Sequence, residues 1–206
     1  MAKAGIVYVG TTDGLVTYSD PGGIGRWRRV GRALAGSPVR AIAAADALHL
    51  TVLAGEESRR SDDGGQSWGP APRADADALR ELLAQEGPLV TSAQGPAPWK
   101  AEHPPAPGST ALAALAGKQE VLLAAIAGGT ALLRSEDGGQ SWQQATIAGE
   151  LAGAVGVITP ASYHMDTAWA GTDAGQLLRS DDRGRSWQPI ADVGAAILSL
   201  AIVRLI

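Results

Sequence analysis

Ser61-Asp62-Asp63-Gly64-Gly65-Gln66-Ser67-Trp68 returns as Ser135-Glu136-Asp137-Gly138-Gly139-Gln140-Ser141-Trp142, and again as Ser180-Asp181-Asp182-Arg183-Gly184-Arg185-Ser186-Trp187. Two worn copies fill the gaps: Ser19-Asp20-Pro21-Gly22-Gly23-Ile24-Gly25-Arg26-Trp27, one residue longer, and Ser92-Ala93-Gln94-Gly95-Pro96-Ala97-Pro98-Trp99. The closing tryptophans stand at 27, 68, 99, 142 and 187, at intervals of 41, 31, 43 and 45 residues. A period near forty with turn residues at a fixed place in each unit belongs to propellers and solenoids.

The clearest unit runs from Ala154 to Trp187. Residues 154–159 are small and apolar, as a buried strand requires, and Thr167 to Gly171 follow as a second. The turn Thr172 to Gly175 leads into a third strand, Gln176 to Ser180, and Trp187 to Ile190 opens a fourth. The same order recurs at 39–44, 48–53 and 57–61 before Trp68, and at 111–116, 121–127 and 131–135 before Trp142. Four short strands per unit, the first most apolar and the last most polar, describe a propeller blade from hub to rim. The Trp99 unit is about ten residues short. A strand is expected over Ala76 to Leu83 because the repeat demands an element there, although Ala78, Leu79, Leu82 and Leu83 also keep helical spacing. The first unit begins at what should be a second strand, Ile6 to Gly10, and the chain ends on an inner-strand sequence at 195–203 with no unit behind it. Pairing those two would leave no open inner edge. The expectation is an all-β, five-bladed β-propeller occupying residues 1–206 as one domain, closed by the C-terminal strand joining the first blade.

Composition narrows the function. There is no cysteine, so neither a disulfide framework nor a thiolate site is available. The net charge of −4 gives no reason to expect nucleic acid as a partner. No apolar run approaches the ~20 residues of a membrane helix, so membrane insertion is not expected. No signal peptide is visible, which favours a cytoplasmic location.

The repeated phrase reads as a self-capped turn. Asp accepts hydrogen bonds from N–H groups a few residues on, and Gly supplies positive φ. The Trp ring is then anchored beneath the turn and seeks a partner for its N–H. The phrase resembles the Asp-box, or bacterial neuraminidase repeat, of sialidase-like β-propellers. The resemblance covers the whole chain through Ser61, Asp63, Gly65 and Trp68; Ser135, Asp137, Gly139 and Trp142; Ser180, Asp182, Gly184 and Trp187; and the worn Trp27 and Trp99. It implies that the boxes lie on an outer turn between third and fourth strands, away from any active site, and serve structure. The competing reading is a calcium loop, which needs several oxygens converging from alternate positions. The acidic residues here are adjacent pairs, so no metal and no cofactor are expected.

Sialidases carry an Arg-Ile-Pro motif, absent here, and a Tyr/Glu pair, for which only Tyr8, Tyr18 and Tyr163 are available. Other Asp-box propellers are glycosidases that use two carboxylates. Asp13, Glu56, Glu57, Glu150 and Asp173 fall on turns expected opposite the boxes. His49 alternates between leucines and reads as a packing residue, and the three histidines do not pair at ligand spacing. The favoured function is a non-enzymatic binding or scaffolding propeller with an unknown protein or carbohydrate partner. The alternative is a glycoside hydrolase using those carboxylates. A weaker resemblance links the chain to the Asp-box propellers that act as photosystem assembly factors, which have seven blades. Candidate binding residues on the face opposite the boxes are Arg32, Arg73, His103, Glu56 and Asp173, on or beside the long connections 31–38, 69–75 and 101–109. Arg26, Arg28, Arg29 and Arg32, with Arg59 and Arg60, form a basic cluster. It reads either as solvated protection of a strand edge or as a contact for an acidic partner.

Overall fold

The alternating and continuous apolar runs of the repeat units do become strands. In the computed structural model, which describes residues 4–84, 89–92, 95–98, 109–115, 118–126 and 131–205, they assemble into several largely antiparallel sheets. The chain divides into two compact units: Met1–Ala84 with Leu198–Ile206, and Gln85–Ile197.

In the first unit the strands are β1 (Gly5–Thr11), β2 (Gly14–Asp20), β3 (Arg28–Ala33), β4 (Val39–Ala44), β5 (Leu50–Ala54), β6 (Glu57–Ser61) and β7 (Gly69–Pro70), followed by the helix α1 (Arg73–Ala84). The second unit holds β8 (Leu89–Ser92), β9 (Gly95–Pro98), β10 (Ser109–Leu115), β11 (Lys118–Ile126), β12 (Leu132–Ser135), β13 (Gln143–Gln144), β14 (Thr146–Ile147), β15 (Val155–Pro160), β16 (Ala168–Thr172), β17 (Gln176–Ser180) and β18 (Ser186–Asp192). The last strand, β19 (Ile197–Arg204), returns to the first unit, whose two sheets run β19-β1-β2-β3 and β4-β5-β6-β7. The sheets of the second unit run β13-β12-β11-β10-β8-β9 and β14-β18-β17-β16-β15.

In the first unit β19 lies beside β1. The Leu205 N–H donates to the Ala4 carbonyl at 3.1 Å. At the other end of the strand pair, the Ser199 hydroxyl donates to the Val39 carbonyl at 2.9 Å, tying β19 to β4. Gly10 makes this possible, because a Cβ there would stand 2.1 Å from Ser199 Oγ and 2.4 Å from the Val39 carbonyl oxygen. Tyr8, Leu15, Val39, Leu50, Val52, Ala201 and Val203 form the shared core of the two sheets.

Burial corrects the expected gradient from first strand to last. The second strand of each clear unit is the most enclosed: β5 and β16 are buried at every position. The first strands β4 and β15 lie at sheet edges and keep exposed positions at Arg40, Ala43 and Gly156. A strand with a neighbour on each side loses solvent from both, so edge position outweighs hydropathy.

The expected strand over Ala76 to Leu83 is instead part of α1. The helical spacing wins because Ala76 and Leu79 turn inward, 6% and 3% exposed, while Asp75 lies in the first turn, where acidic charge is favoured. Among the described residues no separate fifth sheet forms. The two strands of the Trp99 unit, β8 and β9, form an antiparallel hairpin, and β8 adds in parallel to β10. Trp99 and His103 lie outside the described residues. Among the described residues no helix is long and apolar enough to cross a membrane.

Candidate binding site

The repeated turn is a closed hydrogen-bond cage. In the Ser61 copy, the Ser61 hydroxyl donates to Asp63 Oδ1 at 2.8 Å and accepts the Gly65 N–H at 2.8 Å. Asp63 Oδ1 also accepts the N–H groups of Gln66 and Ser67, each at 2.9 Å, and Oδ2 accepts the Ser67 hydroxyl at 2.6 Å. Ser135, Asp137, Gly139 and Ser141 repeat this arrangement, as do Ser180, Asp182, Gly184 and Ser186. Two consecutive residues must adopt positive φ, and Gly64 (75°) and Gly65 (91°) do so without a side-chain penalty. In the third copy Arg183 takes the first of these positions at 65°. Its Nε donates to Asp166 at 2.5 Å and its N–H to the Asp166 carbonyl, which fixes the unusual backbone.

The first acid of each box does a separate job that sequence reading missed. Asp62 pairs with Arg60 at 2.8 Å, Asp181 with Arg179 at 2.6 Å, and Glu136 with Arg134. Each arginine stands two residues earlier, on the same side of an extended chain. The signal was an arginine immediately before the box serine in every strong copy. Arg134 is only 5% exposed, and its Nε donates to the Arg183 carbonyl at 2.7 Å. Glu136 also accepts from Arg185 at 2.6 Å, so two consecutive boxes are tied together.

The box tryptophans do not behave alike. Trp68 and Trp142 are half-buried and donate to the Gly65 and Gly139 carbonyls at 3.1 Å. Trp27 is also half-buried. Trp187 is buried within the core of the second unit, with Leu123, Leu132, Ile158 and Leu178, and its Nε1 meets no acceptor among the described residues. Trp169 is fully buried, as expected of a core residue, with the Arg179 guanidinium 5.6 Å from its ring centre.

Hydrogen bonds from Ser67, Ser61 and Gln66 hold the Asp63 carboxyl well below its ordinary range, and those from Ser141, Ser135 and Gln140 do so for Asp137. Burial pushes Asp182 up, but bonds from Ser186, Ser180 and Arg185 outweigh it. Elsewhere, N–H groups of Leu48 and His49 and the His49 ring bring Asp46 down to about 2. A carboxyl whose folded pKa lies below its unfolded value of about 3.9 stabilises the fold above that value. The contribution is lost as pH falls through the folded pKa. The melting temperature should therefore hold from pH 7 to about 5 and fall below about 4. A double variant Asp63→Asn, Asp137→Asn should melt lower at pH 7 and show a shallower acid decline in a calorimetric pH series. An equally steep decline would assign the acid sensitivity to other groups.

At the opposite ends of the strands, the expected binding residues are largely engaged with the protein itself. Arg32, at the end of β3, pairs with Asp13 in the β1–β2 turn, and the other Asp13 oxygen accepts the Gly36 N–H at 3.0 Å. Glu56, in the β5–β6 turn, lies 3.5 Å from Arg40 on β4, and its carbonyl accepts from Arg80 of α1 at 3.5 Å. Arg73 opens α1 rather than sitting on a loop; its side chain is 95% exposed, with Asp77 at 3.5 Å. Arg40, Glu56 and Arg80 are thus brought together within the first unit. Asp173 belongs to the second unit, where it accepts the Ala154 N–H at 2.8 Å.

Beside Asp173 lies a groove of about 290 Å³ lined by Ala152, Ala174, Gln176 and residues 189–192. Gln176 bridges its rim, accepting from the Ala152 N–H at 2.9 Å and donating to the Glu150 carbonyl at 3.1 Å. Sequence reading missed Gln176, because a strand-opening polar residue after a turn carries no distinguishing pattern. His49, expected to pack, is exposed; its ring sits 2.8 Å from Asp46 in the bend before β5. Among the described residues no group of three His, Asp or Glu side chains assembles to hold a metal.

No protein-family model matches this chain, and no curated protein matches it. Among solved structures it is similar to an ancestral GH74 enzyme, at TM-score 0.36 and 17% identity over 90% of this chain and 22% of that one. It is also similar to YCF48 bound to D1 peptide, at TM-score 0.33 and 18% identity over 78% of this chain and 42% of that one. YCF48 from Cyanidioschyzon merolae matches at TM-score 0.37 and 14% identity, over 89% of this chain and 66% of that one. The chain spans between 22% and 66% of the lengths of these structures.

Proposed function

We propose that this chain is a non-enzymatic binding or scaffolding β-propeller whose Asp-box turns are structural and whose partner, a protein or a carbohydrate, docks on the turns opposite the boxes. In this reading residues 1–206 form one domain of five blades, the first completed by β19 and the third reduced to the β8–β9 hairpin that joins the β10 sheet. The observation that carries the binding reading is the use already made of the turn carboxylates. Asp13 holds Arg32 and the Gly36 N–H, Glu56 faces Arg40, and Asp173 caps the Ala154 N–H. A glycosidase needs one carboxyl able to donate a proton and a second free to attack or to activate water, about 5–10 Å away. Carboxylates that anchor neighbouring backbone and arginines suit a rigid platform instead.

The test is recovery of partners by crosslinking with the wild type and with Arg32→Glu, Arg73→Glu. The double variant should lose most of the partners that the wild type recovers. Undiminished recovery would remove this surface from the proposal. Hydrolysis of aryl glycosides by the wild type, lost in Glu56→Gln or Asp173→Asn, would favour the glycoside hydrolase.

A further inference from the structure

The outer edge of β3 is the longest uncovered outer edge described. In the sheet β14-β18-β17-β16-β15 the start of the outer strand β18 is covered: β14 runs parallel to Ser186 and Trp187, with the Thr146 N–H on the Arg185 carbonyl at 2.9 Å and the Ala148 N–H on the Trp187 carbonyl at 2.8 Å. The outer strands β7 and β13 are two residues long. β3 follows Trp27 as β18 contains Trp187, runs for six residues, and pairs on its outer side with no strand among the described residues.

Its side chains are equally unusual. Ile24 and Val30 are 68% and 62% exposed, the two most exposed large apolar residues described. Arg26, Arg28 and Arg29 are exposed and form no ion pair among the described residues. Other arginines nearby are engaged: Arg32 with Asp13, Arg59 with Glu57 and Arg60 with Asp62. The cluster foreseen from the sequence therefore resolves into three unpaired cations beside two uncovered apolar side chains. Charge alone would guard an edge against aggregation. Guarding gives no reason to leave Val30 bare on that edge, with Ile24 bare in the turn before it.

We propose that the edge of β3 binds an extended acidic peptide segment of a protein partner by strand addition, on the outer side of the sheet. Main-chain hydrogen bonds supply the pairing, and side chains at alternate positions supply the selection. Arg28 and Arg29 fall on opposite sides of the extended chain, so adjacent carboxylates of the segment meet them, and a neighbouring apolar residue covers Val30. The site is separate from the turn surface proposed above, so each can fail without the other.

The test uses the full chain and a fluorescein-labelled eight-residue peptide, Glu-Glu-Val-Glu-Glu-Val-Glu-Glu, read by anisotropy. Binding should weaken at least about tenfold in Arg28→Glu, Arg29→Glu, and should be unchanged in Arg204→Glu, an exposed arginine at the end of β19. It should also be abolished when alternate peptide nitrogens are methylated, which removes the strand pairing and leaves the charge. Because Arg28 and Arg29 are exposed and unpaired, near-ultraviolet circular dichroism of the variant should match the wild type. Absence of wild-type binding up to about 1 mM, equal binding by the arginine variant, or equal binding of the methylated peptide would each overturn the proposal. So would competition by inorganic polyphosphate that abolishes binding of both peptides alike, which would make the cluster a general anion patch.

Discussion

Trp187→Ala is expected to destabilise the protein by about 3–5 kcal/mol, the range for removing a large buried aromatic side chain. Trp187 lies within the core of the second unit at 1% exposure, so truncation opens a cavity among Leu123, Leu178 and Ile158. Trp142→Ala should cost less, because Trp142 is half-buried and part of its surface already meets water. Phenylalanine separates the two roles. Trp187→Phe removes an indole N–H that has no acceptor among the described residues, so only the smaller cavity counts against it and the cost should fall well below that of Trp187→Ala. Trp142→Phe breaks the bond to the Gly139 carbonyl, a net loss of about 1 kcal/mol. Urea denaturation of the four variants gives the comparison. Equal losses for Trp187→Ala and Trp142→Ala would mean that the box tryptophans share one environment after all.

Deletion of residues 197–206 should abolish the folded first unit. It removes Ala201, Ile202 and Val203 from the core, strips the hydroxyl that holds the Val39 carbonyl, and bares β1 along its length. An uncovered edge of seven residues, buried at all but one position, is a template for association between chains. The expected outcome in size-exclusion chromatography is aggregate, with loss of the near-ultraviolet signal. A soluble, cooperatively melting monomer would show that β19 is dispensable. Gly10→Ala is a milder probe of the same joint, since the added methyl collides with Ser199 and with the Val39 backbone.

Much of this was legible in the residues. The strands β4, β6 and β17 begin and end where their apolar and polar runs do, because each is bounded by a turn with Gly or Asp. The pairing of β19 with β1 was legible because the first unit lacked a strand and the last unit had one to spare. What stayed hidden depended on contacts between distant parts of the chain. The α1 segment satisfies both a strand expectation from the repeat and a helical spacing from Ala78, Leu79, Leu82 and Leu83, and only packing, which buries Ala76 and Leu79, decides between them. His49 alternates with leucines, yet Asp46 draws its ring outward. The pairing role of Asp62, Glu136 and Asp181 was masked by their adjacency to the turn aspartates, and the engagement of Arg32 and Glu56 required knowing which turns meet.

The account rests on the repeated phrase being a self-sufficient structural turn, its carboxylate oxygens already occupied by Ser and backbone donors. The most direct measurement is thermal unfolding of the wild type and of Asp137→Asn, each with excess calcium and with EGTA. The predicted result is a wild-type melting temperature that is the same in both conditions, and a variant that melts lower by the same amount in each. A wild type that calcium stabilises by many degrees, with that gain lost in Asp137→Asn, would contradict the account and make the boxes cation loops.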